Sequence, residues 1–120
     1  MFRYELVRAV GASGAAYEFQ MYPLGTRFKE LPGLYVFGRP VPNGQWEVLY
    51  VGQTHNLQSR VGTGLSTHHK ILDARNLGAT HIGVSVFIGR EYDRLQAESD
   101  LIASVNPRLN TALPPKRRWI

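Results

Sequence analysis

Two short apolar runs, Gly33-Leu34-Tyr35 and Tyr50-Val51-Gly52, each carry a glycine and a tyrosine, and Arg60 follows the second. Glu98 lies deep in a later amphipathic segment. At 100° per residue, Leu95, Leu101, Ile102 and Val105 form an apolar stripe with Glu98 in its middle, while Asp93, Gln96, Asp100 and Ser104 take the other side. A carboxylate on a packed face is costly unless a cation or a metal meets it. Two readings follow for Glu98. It either closes a core ion pair, with Arg60 or Arg94, or it sits in a cleft between helix and sheet and ligates a hard divalent ion.

The elements that position these groups are legible in outline. The tyrosine runs read as an antiparallel hairpin whose long tip, Pro40-Val41-Pro42-Asn43-Gly44, contains an Asn-Gly pair suited to positive φ. A short helix is expected after Thr54 or Asn56, with Leu57 and Val61 on its apolar side, and a second over about 67–77, closed by Gly78. The run 81–88 is rich in β-branched residues and predicts a third strand. Residues 91–105 predict the longest helix, ended by Asn106-Pro107. The expected fold is therefore α/β: a small domain with a three-stranded, mainly antiparallel sheet flanked by helices. Residues 1–30 read as an N-terminal arm or hairpin around a loose Gly11–Ala16 linker, residues 31–111 as the domain, and 112–120 as a basic tail.

Composition narrows the chemistry. The 120 residues contain no cysteine, which excludes a disulfide scaffold, a thiol nucleophile and any cysteine-based zinc site. No apolar run approaches the span of about 20 residues that crosses a membrane, and Met1-Phe2-Arg3-Tyr4-Glu5 lacks the apolar core of a signal peptide; a cytoplasmic protein is expected. The formal charge of +5, densest at Lys116, Arg117 and Arg118, favours a polyanionic partner. Gly62-Thr63-Gly64 is no phosphate-binding P-loop, since the Lys-Ser/Thr ending is missing.

Gly33-Leu34-Tyr35 behind Pro32, Leu49-Tyr50-Val51-Gly52, Arg60, Glu98 and Asn110, in this order and spacing, resemble the signature of the GIY-YIG nuclease family over residues 31–111. The resemblance implies metal-dependent endonuclease or nickase activity on DNA, with RNA also a chemically suitable partner. It further implies one Mg²⁺ or Mn²⁺ on Glu98, with Tyr35 as base or water-positioning group and Tyr50 as its hydrogen-bonding partner, or the reverse. Arg60 is then expected on a non-bridging phosphate oxygen, His68 or His69 beside a tyrosine or phosphate, and Asn110 at the fastening of the domain end. Gln53 stands where several members carry lysine or another base-assisting residue, and His68 and His69 fall near where relatives place tyrosine or histidine; histidines at a helix start are more often plain solvated surface groups. Gln53, His55, Arg60, Asn110 and the cations 116–118 are the expected nucleic-acid contacts. One such site cuts one strand, so a double-strand break takes a dimer or two visits. The expectation is weak specificity, or specificity drawn from a dimer, a partner protein, or residues 1–30 and Lys116 to Trp119. A non-catalytic nucleic-acid-binding module on the same fold is the alternative.

Overall fold

The computed structural model describes residues 4–110, so Lys116, Arg117 and Arg118, and the tail to which they belong, lie outside the described residues. The order of elements is β1 (Glu5–Val10), β2 (Ala16–Pro23), β3 (Gly33–Val41), β4 (Gln45–Thr54), α1 (Ile71–Asn76), β5 (His81–Val86) and α2 (Glu91–Val105). One antiparallel sheet of five strands, ordered β1-β2-β5-β3-β4, replaces the expected three.

The two extra strands come from the residues expected to form an N-terminal arm or hairpin, and they pair with each other antiparallel. Phe19 and Met21 alternate inward and are buried, packing with Val36 of β3. β2 pairs with β5, Gln20 opposite Val84, so the third strand is not an edge. The Gly11–Ala16 stretch is a tight turn rather than a loose linker. Gly14 takes φ +91°, and the turn is tied to α2 through Asp100, whose carboxylate accepts the Ser13 N–H (2.7 Å), the Ser13 hydroxyl (2.7 Å) and the Tyr17 hydroxyl (2.9 Å).

β3 and β4 form the expected hairpin, with Tyr35 opposite Gly52 and Phe37 opposite Tyr50. At its tip Asn43 and Gly44 both take positive φ, the geometry for which this pair is suited. The register slips between Phe37 and Gly38, leaving Leu49 as the extra residue of a β-bulge. A bulge turns two successive side chains to one side; Leu49 and Tyr50 both pack on the Tyr35 face, while Val48 and Val51 face the other way.

Each face of the sheet carries its own core. Tyr35, Phe37, Leu49, Ile82 and Val84 lie under the segment 57–79, through Leu57, Val61, Leu65, Ile71 and Ala74. Leu34, Val36 and Val51 lie under α2, through Ala97 and Leu101. The helix buries Arg94, Ala97 and Leu101, whereas Leu95 is 41% exposed, so the inward stripe is rotated from the one expected and Glu98 stands at its margin, half-buried. The first short helix is a single wide turn over Gln58–Gly62, closed by the Thr63 N–H on the Gln58 carbonyl (2.9 Å). The second starts four residues late, at Ile71, because His68 turns inward and its ring accepts the Lys70 N–H. Among the described residues no helix is long and apolar enough to cross a membrane.

Candidate active site

Tyr35 leaves β3 beneath the 57–79 segment and is 1% exposed. Its ring lies over Gly52 on the neighbouring strand. A Cβ at Gly52 would fall 2.3–2.4 Å from the end of the phenol, so only glycine admits the ring there. Gly52→Ala is expected to destabilise the fold by about 1–3 kcal/mol through overpacking; a denaturation curve indistinguishable from that of wild type would refute this reading.

The Tyr35 hydroxyl lies 2.7 Å from His68 Nε2. His68 is 3% exposed, and its Nδ1 accepts the Lys70 backbone N–H at 3.0 Å. Burial, with Arg60 and His69 adding to it, pushes the ring down to about 3, so it is neutral near pH 7. A neutral imidazole that accepts at Nδ1 carries its proton on Nε2. His68 therefore donates to the Tyr35 oxygen, and the phenol proton is free to point elsewhere. The neighbouring Tyr35 hydroxyl favours ionisation of Tyr50. The chain of donors runs from Lys70 N–H through His68 to Tyr35, beside which Tyr50 lies.

Burial raises both phenols above the usual range, Tyr35 far above it. The Arg60 guanidinium opposes this at both. The bulge leaves Tyr50 half-buried, stacked on Phe37 at 5.8 Å between centroids and 6.1 Å from Tyr35. Arg60 Nη2 also donates to His69 Nδ1 at 3.0 Å. His69 is exposed, stacked on His68 at 4.8 Å, and lowered by partial burial and by the charges of Arg60 and Lys70.

Glu98 approaches from the other face, around the β4 edge. Burial raises its carboxyl, partly offset by a hydrogen bond from the Gln53 backbone. Its charge is felt at both tyrosines. Among the described residues Glu98 makes no ion pair. Arg94, 5% exposed and four residues earlier, instead donates to the Gln53 side-chain oxygen (3.2 Å) and the Gly89 carbonyl (3.0 Å). The core ion pair with Arg60 or Arg94 is thus replaced by a carboxylate without a cation. Among the described residues no group of three or more His, Asp or Glu is gathered as a metal cage.

Asn110 closes the same edge. Its Oδ1 accepts the Val51 N–H at 2.7 Å and its Nδ2 donates to the Val51 carbonyl at 2.8 Å, as a neighbouring strand would. His55 is exposed in the turn after β4 and makes no hydrogen bond or ring contact with the cluster. The fold therefore brings together Tyr35, Tyr50, Arg60, His68 and His69 on one face, with Glu98 and Gln53 at the adjoining edge. Sequence reasoning missed the supporting roles of Phe37, whose ring is 4.9 Å from His68, and of Arg94; its spacing from Glu98 marks the shared helical face but not the amide it engages.

The buried histidine has a consequence for stability. The unfolded ring titrates near 6.5 and the folded ring near 3, so between these values only the unfolded chain takes up the proton. His68 stability is complete above about pH 6.5 and is lost as pH falls toward 3. A loss of about 2–3 kcal/mol between pH 7 and 4.5 is expected from this group, read by chemical denaturation. His68→Gln should flatten that dependence; an unchanged slope in the variant would contradict the assignment.

No protein-family profile and no curated protein matches the sequence. Among solved structures, the chain is similar to the GIY-YIG N-terminal endonuclease domain of UvrC from Thermotoga maritima, a point mutant bound to its catalytic divalent cation. Identity is 24%, the match covers 69% of this chain and 86% of that one, and the TM-score is 0.53. The likeness is one of fold.

Proposed function

We propose that this chain, which shares the fold of a GIY-YIG endonuclease domain, is a divalent-metal-dependent nuclease that hydrolyses nucleic-acid phosphodiester bonds. The single observation that supports this most is the convergence of two phenols, a guanidinium and a half-buried carboxylate without a cation at one sheet edge. The donor set fits Mg²⁺ or Mn²⁺: Mg²⁺ keeps several waters and is commonly bound by one or two carboxylates together with substrate phosphates, so Glu98 suffices as the protein ligand. When bound, such an ion supplies charge neutralisation at the departing 3′-oxygen.

The chain's own residues do the rest. Arg60 holds a non-bridging phosphate oxygen through its planar fork and stabilises negative charge on the neighbouring phenols. Tyr50, the more accessible phenol, gives up its own proton to solvent, with the Arg60 charge favouring the phenolate, and then takes the proton of the attacking water. Tyr35 holds the Tyr50 oxygen by a hydrogen bond, and the Nε2–H of His68 holds Tyr35 in turn. As the water oxygen bonds to phosphorus, the bond to the 3′-oxygen breaks and that oxygen takes a proton from solvent, leaving a 3′-hydroxyl and a 5′-phosphate. Enclosure by the 57–79 segment keeps Tyr35 and His68 dry, so their hydrogen bonds need no reorganisation as charge moves.

End-labelled duplex incubated with Mg²⁺ or Mn²⁺ should yield fragments bearing 5′-phosphate and 3′-hydroxyl ends, and none in excess chelator. The lack of a multi-ligand metal cage among the described residues favours one second reading, a nucleic-acid-binding module without catalysis. Binding of the duplex with no fragment in either metal would establish it.

A further inference from the structure

Outside the cluster, a groove of about 340 Å³ opens on the same sheet face as Tyr35. Its floor includes Val84 and Leu57, which also pack in the Tyr35 core, and Val84 stands directly opposite Tyr35 in the β3–β5 pair. Tyr22 and Phe28 line it, their rings edge-on with centroids 5.8 Å apart. Val86, 52% exposed, lines it from β5. Gln20 accepts the Tyr22 hydroxyl at 2.9 Å, which leaves its amide N–H donors without a partner among the described residues.

Two cations, Arg27 and Lys29, also line this apolar groove, and neither side chain makes a hydrogen bond or ion pair among the described residues. The neighbouring carboxylate, Glu30, is engaged instead by the Asn56 amide at 3.4 Å. An aromatic wall, free amide donors and two uncompensated cations call for an occupant that is flat, apolar on its face and anionic beside it. A nucleotide has this character, and about 340 Å³ accommodates one. A base in a duplex has no free face to offer, whereas an unpaired base stacks on aromatic side chains. From β4 to β2 is three strand spacings, roughly 14 Å, so one nucleic-acid strand can reach both places.

We propose that this groove is a nucleotide subsite: an unpaired base near the cut packs against Tyr22 and Phe28 while its phosphate lies between Arg27 and Lys29. The inference rests on the nuclease reading and adds to it a substrate class, nucleic acid with unpaired nucleotides beside a duplex. The groove belongs in part to β2 and to the loop before β3, so the N-terminal hairpin contributes directly to the subsite.

Fluorescence anisotropy in chelator, with a labelled blunt duplex and the same duplex extended by a short single strand, tests this. Wild type should bind the extended probe about tenfold more tightly, the scale of one stacked base. Val86→Trp fills the groove from an exposed position without changing charge, and should bring the ratio near one while blunt-duplex affinity stays within about threefold. Arg27→Gln with Lys29→Gln should also remove the preference. Equal affinity of wild type for the two probes, or an undiminished preference in Val86→Trp, would overturn the subsite. Metal-dependent cleavage of blunt duplex without any preference would sink this inference alone. Failure to bind or cut either probe would sink the nuclease reading with it.

Discussion

Glu98→Gln will lower metal-dependent cleavage by about 1,000-fold, the upper range for removing one electrostatic group from an enclosed site, and will leave the protein as stable as wild type or slightly more so. The two effects have one cause. Partial burial holds the Glu98 carboxyl above its usual range, and the Gln53 backbone offsets only part of that cost. An ionised Glu98 is therefore a burden on the fold that a bound cation relieves, whereas glutamine keeps the shape and sheds the charge. The same shift sets a pH dependence. A raised carboxyl takes up its proton at higher pH than an ordinary glutamate, so metal affinity falls as pH drops through that raised value, before exposed carboxylates titrate. Cleavage rates and melting temperatures of the two proteins, measured together, check both effects. Marked destabilisation of the variant would instead identify Glu98 as a structural partner.

Tyr50→Phe will reduce the cleavage rate by about 10²–10⁴-fold, the range for a positioned proton acceptor, with little change in stability. Tyr50 is half-buried beside Tyr35, and removing its oxygen takes away the proposed proton acceptor while the Tyr35–His68 hydrogen bond stays in place. Tyr35→Phe behaves differently. It leaves the buried His68 Nε2–H without an acceptor, at a cost of about 1–3 kcal/mol, so activity and stability fall together. The ratio of the two losses separates the proton acceptor from the group that positions it. A Tyr50→Phe protein that cuts at the wild-type rate would move the base to Tyr35.

Much of this site is legible in local sequence. The Asn43-Gly44 tip, the strands it joins and the helix 91–105 follow from turn chemistry and periodicity, and they place Tyr35, Tyr50 and Glu98 within reach of one another. What was not legible depends on partners distant in the chain. β1 and β2 join the sheet because β5, some 60 residues on, offers an edge, and because Asp100 ties the Ser13 turn to α2. Adjacent histidines look alike in sequence, yet His68 is buried against Tyr35 while His69 is exposed beside Arg60. Periodicity placed Glu98 in the centre of an apolar stripe; packing against Val51 and Val36 rotated the helix so that Arg94, Ala97 and Leu101 face inward and Leu95 outward. The bulge at Leu49, which aims Tyr50 into the site, has no signature in the residues that form it.

The most direct measurement is the conversion of supercoiled plasmid and of a branched duplex by wild type, Glu98→Gln and Tyr50→Phe, in Mg²⁺, in Mn²⁺ and in chelator, with circular dichroism of each protein alongside. Metal-dependent nicking by wild type alone, with all three proteins folded, is the predicted result. Folded wild type that binds these substrates yet leaves both uncut in either metal would contradict a nuclease centred on Tyr50, Arg60 and Glu98.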